Sequence, residues 1–201
     1  MRVLVLLLCS FVPIAHADTT VDWAAGRIAV TAAAAADLRA PSPQIARVAA
    51  ERSARGRARG QLLVAVRTLP WAGGGTLGQR ADADPEVLRA LDLAVDGADT
   101  DELRIQSDGS VVVRLGTSLD ALVGLTPTTE SPRLVVDGKG HVKPALGYRL
   151  VAGDESYVGP LRFGRGGRSR TSVTRVKGDE VVLPAGALEH VASPVLILVG
   201  E

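Results

Sequence analysis

The chain is nearly devoid of cysteine. Its one cysteine, Cys9, stands in the first 17 residues. If those residues are removed, the remainder has no disulfide, no thiol nucleophile and no thiolate metal site. Aromatic residues make up only 3% of the chain, so its core must be built from Ala, Val and Leu. A net charge of +1 gives no general affinity for nucleic acid,. No apolar run approaches the roughly 20 residues that span a bilayer. Catalytic signatures are missing too: there is no G-x-S-x-G elbow, and His141 and His190 sit in no metal-binding spacing. The segment FGRGGRSR, residues 163–170, has the glycines of a phosphate cradle. It lacks the Lys-Ser/Thr and the following helix that such a cradle needs,. No catalytic residue, metal or cofactor is therefore expected.

The first residues point to export. Arg2 precedes an apolar run, residues 3–8, and Ala15-His16-Ala17 forms an A-x-A exit before Asp18. This is the pattern of a secretory signal peptide over residues 1–17, cleaved after Ala17. Lipidation at Cys9 is disfavoured, because Leu8 stands where a small residue is usual,.

The next 109 positions, 18–126, read as one α/β unit. Residues 21–31, with Trp23 and a bulge or turn at Gly26, predict a strand. Residues 42–69 predict one long helix that starts at the capping pair Ser42-Pro43. Its inner stripe is expected at Ile45, Val48, Ala49, Ser53, Gly56, Gly60, Leu63 and Val66, where small residues would let a sheet come close. A polar loop to Asp84 follows, then a shorter helix from Asp84-Pro85 to about Asp96. Strands over 103–106 and 110–116 flank Asp108-Gly109, and the second strand, VVVRL, predicts burial on both faces. Residues 127–133 are Pro/Thr-rich and read as a linker. Residues 134–201 predict a small β-rich domain that ends on a central strand, PVLILVG. The class is α+β: a long helix and a shorter one on a small antiparallel sheet, followed by the β-rich part.

The candidate contact residues are arginines. Arg47, Arg55 and Arg57 lie off the inner stripe of the long helix, and Arg165, Arg168 and Arg170 crowd the Gly-rich loop. Such residues suit a protein partner, an envelope glycan or an anionic lipid, although the ordinary reading of charge runs like these is a solvated surface.

Several stretches together resemble a bacterial envelope family. They are VDWAAGRIAVT at 21–31, A-A-E-R-x-A at 49–54, L-L-x-A-V at 62–66 and S-D-G-S-V-V-V-R at 107–114. The family is that of the small outer-membrane lipoproteins of the LPP-twenty type; the N-terminal domain of flagellar assembly protein T looks similar. The likeness covers residues 21–125. Relatives carry D-A-x-R late in the helix, where this chain has Arg57-Ala58-Arg59-Gly60. The resemblance implies a long helix laid on an antiparallel sheet and no recognised catalytic residues. It also implies a role in the envelope or in flagellar assembly. The expected protein is exported and non-enzymatic, acting through contacts with other envelope proteins. A binding module for glycan or anionic lipid is the alternative, and a hydrolase using scattered Ser, His and Asp residues a further one.

Overall fold

The computed structural model describes residues 18–132, 134–165, 170–189, 191 and 194–199. Residues 1–17 with Cys9, together with Arg168 and His190, lie outside the described residues. Within them the chain is of mixed α and β class, as the sequence leads one to expect.

The long helix, α1, runs Pro43–Arg67. The Ser42 hydroxyl accepts a hydrogen bond from the Ile45 amide at 3.3 Å, and Pro43 fills the first helical position, where no partner for its nitrogen is needed,. At the far end, the Thr68 hydroxyl and amide both donate to the Ala65 carbonyl, at 2.8 and 3.1 Å. The buried residues are Ala46, Ala50, Ala54, Ala58, Leu62 and Val66. They recur at every fourth position and form one ridge.

That ridge differs from the stripe expected above, with which it shares only Val66. Gly56 and Gly60 are exposed, with nothing within 4 Å of where a Cβ would stand. Ile45 and Val48 are 54% and 52% exposed. Small residues occupy two neighbouring lines of the helix, so spacing alone could not choose between them. Alanine allows nearly as close an approach as glycine and keeps about 1 kcal/mol more helix propensity per residue, which makes it the better residue for the packed line.

Strands β1 (Asp18–Asp22) and β2 (Arg27–Ala34) form a hairpin: the break expected at Gly26 is a full turn between two strands, where one strand was expected over 21–31. The Asp22 carboxylate accepts from the Ala24 and Ala25 amides at 3.0 and 2.8 Å, and Gly26 closes the turn at φ +68°,. A second hairpin joins β3 (Asp99–Ile105) to β4 (Val111–Ser118) around Asp108-Gly109. The antiparallel sheet has the order β1-β2-β4-β3. Ala50, Ala54 and Ala58 of α1 pack against Ala32, Ala34, Val111, Val113 and Leu115. Val112 and Arg114, on alternate positions, are half-buried, so VVVRL turns one face inward and not two,. Asp101 and Glu102 belong to β3.

Two further helices follow α1. The segment expected to be loop contains α2 (Leu77–Ala83). Thr76 and Gln79 cap it reciprocally: each side chain accepts from the other's backbone amide, at 3.3 and 3.0 Å,. Helix α3 (Pro85–Asp96) starts at Asp84 and ends at Gly97. Leu62, Val66, Leu77, Leu91 and Leu122 close a core with Ile28 and Val30.

The rest of the chain is built from short strands: β5 (Leu134–Asp137), β6 (Arg149–Ala152), β7 (Glu155–Tyr157), β8 (Leu161–Gly164), β9 (Thr171–Ser172), β10 (Arg175–Lys177), β11 (Glu180–Val182) and β12 (Val195–Leu198). One sheet, ordered β8-β12-β5-β9, is parallel throughout; the other, ordered β10-β11-β6-β7, is mixed. The apolar β12 lies between two neighbours, as its composition predicts,.

The two halves meet along a seam of specific bonds. Trp23 packs against the cores of both halves. Its carbonyl accepts from the Phe163 amide at 3.0 Å. Leu146, beyond the 127–133 segment in sequence, is buried in the first core. Its amide donates to the Pro70 carbonyl at 3.0 Å, and its carbonyl accepts from the Ala72 amide at 2.8 Å.

Candidate functional site

Along this seam lies a cleft of about 400 Å³. Trp23 reaches it from the β1–β2 turn, and Trp71 from the loop after α1. Tyr148 comes from the start of β6, and Phe163 from β8. The described residues include five aromatics, and four of them line this one cleft. In a chain only 3% aromatic, that concentration singles out this cleft as the candidate site,. Trp23 meets Phe163 edge-on, with centroids 5.8 Å apart and planes at 89°. Tyr148 tilts against the same ring at 6.2 Å. The fifth aromatic, Tyr157, packs nearby and donates to the Pro160 carbonyl at 3.3 Å. Burial raises both phenols above the usual tyrosine range, against a lowering backbone hydrogen bond at Lys143 for Tyr148. For Tyr157 the Asp120 charge raises it further and the Arg162 charge opposes.

On one wall of the cleft, Asp120 belongs to a buried ion pair with Arg162. Arg162 donates from both terminal nitrogens to the two Asp120 oxygens, at 2.8 and 2.7 Å. The side chains are 6% and 4% exposed. The guanidinium also donates to the carbonyls of Leu161 at 3.0 Å and Thr128 at 3.2 Å, which fastens the 127–133 segment to β8. Gly26 lies flat against it: a Cβ there would stand 2.5 Å from the guanidinium carbon. The pair thus joins three parts of the chain, and only glycine leaves room for it.

The other charges on the lining are fewer. Arg149 pairs with Glu180 across β6 and β11. Asp179 is exposed and has no side-chain partner among the described residues. Arg80 stands 5.9 Å from the Trp71 ring centroid, in a neighbouring depression with Gly73 and Gln79.

The arginines singled out from sequence stand elsewhere. Arg55 bonds to Glu51 at 3.1 Å and to the Thr100 hydroxyl at 2.6 Å. Arg57 donates to the Ala33 carbonyl at 3.0 Å. Both tie α1 to its sheet. Arg47 is exposed without a bonded partner among the described residues. Arg165 and Arg170 are exposed on either side of residues 166–169, and Arg168 lies outside the described residues. His141 is exposed in a turn, where its amide donates to the Gly138 carbonyl at 3.0 Å. Among the described residues no group of three His, Cys, Asp or Glu side chains is placed to hold a metal, and no helix is long and apolar enough to cross a membrane.

Sequence reasoning passed over the cleft because its rings are up to 140 positions apart (Trp23 to Phe163) and share no motif. The signal that could have found them is their scarcity. A scan against protein-family models finds no match for the chain, and a search of curated proteins finds none either.

Proposed function

We propose that this is an exported, non-catalytic protein of the bacterial envelope that works by binding, with the aromatic cleft as its recognition site. The observation that carries this is the gathering of Trp23, Trp71, Tyr148 and Phe163 on one cavity. Trp23, Trp71 and Tyr148 are half-buried and offer large, rigid contact area at little cost in side-chain entropy, and the buried Phe163 backs them,. The leader-like residues 1–17 support export. The contacts of α1 with β2 and β4 support, at the level of arrangement, an architecture like that of the LPP-twenty lipoproteins. In this reading the long helix is scaffold: Arg55 and Arg57 are engaged within the protein.

The test is in-cell crosslinking. A photoreactive residue is placed at Val158, which is 69% exposed on the cleft lining, or at Leu38, which is 92% exposed and not on that lining. Envelope adducts that form from position 158 and not from 38 are expected. Equal labelling from the two positions, or adducts only in the cytoplasmic fraction, refutes the proposal.

A further inference from the structure

The charges around the cleft do not cancel, and the remainder has a sign. Asp120 is neutralised by Arg162, and Arg149 by Glu180. That leaves Asp179 as the lining's unpaired charge among the described residues, and it is negative. The rings add to it, because the face of an aromatic ring carries the negative part of its quadrupole. Trp71 already takes a cation in the neighbouring depression, where the Arg80 guanidinium stands 5.9 Å from its centroid. Apolar residues continue the lining: Leu119, Val123, Leu125 and Leu161.

We propose that the cleft binds a small organic cation with an apolar body, such as a quaternary or tertiary alkylammonium, held by the aromatic rings and by the Asp179 carboxylate. This deepens the binding role assigned to the cleft and rests on it. A cation whose charge is spread over methyl groups is weakly hydrated, so it enters an aromatic site at small desolvation cost and gains attraction from any ring face it meets. An anion meets Asp179 and the ring faces with the wrong sign. A neutral molecule of the same shape keeps the apolar contact and loses the rest. The volume of about 400 Å³ is in the range of small-molecule sites,.

The protein contains its own reporter, because its two tryptophans, Trp23 and Trp71, both line the cleft. Tryptophan emission is followed while the protein is titrated with benzyltrimethylammonium, choline, the uncharged choline isostere dimethylbutanol, and benzoate. Saturable changes are expected with the two cations, at about five- to thirtyfold higher affinity for choline than for its isostere. Asp179→Asn, at an exposed position, is expected to weaken the cations about two- to fivefold and to leave the isostere unchanged. Circular dichroism confirms that the variant is folded. If dimethylbutanol binds as tightly as choline, or benzoate binds better, the cation assignment fails while the cleft remains a binding site. If none of the four changes the emission, the cation assignment fails as well, and crosslinking from Val158 separately decides whether the cleft binds anything.

Discussion

Replacing Arg162 by Met should be among the most damaging single changes in the described part of the chain. The guanidinium makes two bonds to Asp120, at 2.8 and 2.7 Å, and two to backbone carbonyls. Methionine fills a similar volume and makes none of them. The larger effect is on what remains: the Asp120 side chain is 4% exposed and is left as an unpaired buried charge. Breaking a buried pair from one side typically costs about 3–5 kcal/mol. For a chain of this size that corresponds to a fall in Tm of roughly 10 °C. Removing both charges, as Asp120→Leu with Arg162→Met, should restore most of the loss, because the desolvation cost of the ions disappears with their attraction. Urea unfolding followed by circular dichroism measures both quantities. A single variant that loses less than about 1 kcal/mol, or a double variant no better than the single, refutes the reading of the pair as a buried clamp.

Three other outcomes follow from the same contacts. Gly56→Ala in α1 should stabilise by about 0.5–1 kcal/mol, since a Cβ there meets nothing within 4 Å, whereas Ala58→Leu should destabilise by about 1–3 kcal/mol against β2 and β4,; chemical denaturation of the two variants reverses in order if the glycine line is the packed one. Gly26→Ala should cost at least about 1–2 kcal/mol, because it combines a strained φ of +68° with a Cβ 2.5 Å from the Arg162 guanidinium,; a thermal melt indistinguishable from the parent contradicts the close contact. Only two tyrosines are present, so absorbance at the phenolate band reads Tyr148 and Tyr157 alone. Both should ionise above the ordinary value of 10.0. With folded-state pKa values raised, their contribution to stability is full below the unfolded pKa and is lost as pH rises through the folded values. Titration at the free-tyrosine value removes the case for burial.

Local signals in this chain were legible where one residue type decides the outcome. Ser42-Pro43 fixes the start of α1, Asp84-Pro85 and Gly97 bound α3, and Asp108-Gly109 turns a hairpin. The apolar PVLILVG run reads correctly as a strand between two neighbours. Signals that compete were not resolved. In α1 two lines of small residues run side by side, and only the strands opposite select the alanines. Thr76 and Gln79 carried a capping box that a glycine-rich context hid, so α2 was missed. In residues 21–31 the glycine marks the turn at Gly26, but strand propensity does not register that the segment before it, held by Asp22 accepting two amides, folds back as a separate strand. The cleft was illegible for a different reason: Trp23, Trp71, Tyr148 and Phe163 are brought together by the seam between the halves, and that seam rests on Leu146 and the Asp120–Arg162 pair, which have no sequence signature.

If the aromatic cleft recognises a component of the envelope, as proposed, fluorotryptophan labelling will report it, because the spectrum has two resonances, from Trp23 and Trp71, and both report on the cleft. On addition of soluble envelope extract, both resonances should shift or broaden, and Val158→Arg, at the exposed lining position, should abolish the effect. Resonances that stay unchanged in extract, or that respond equally in the Val158→Arg variant, would contradict it.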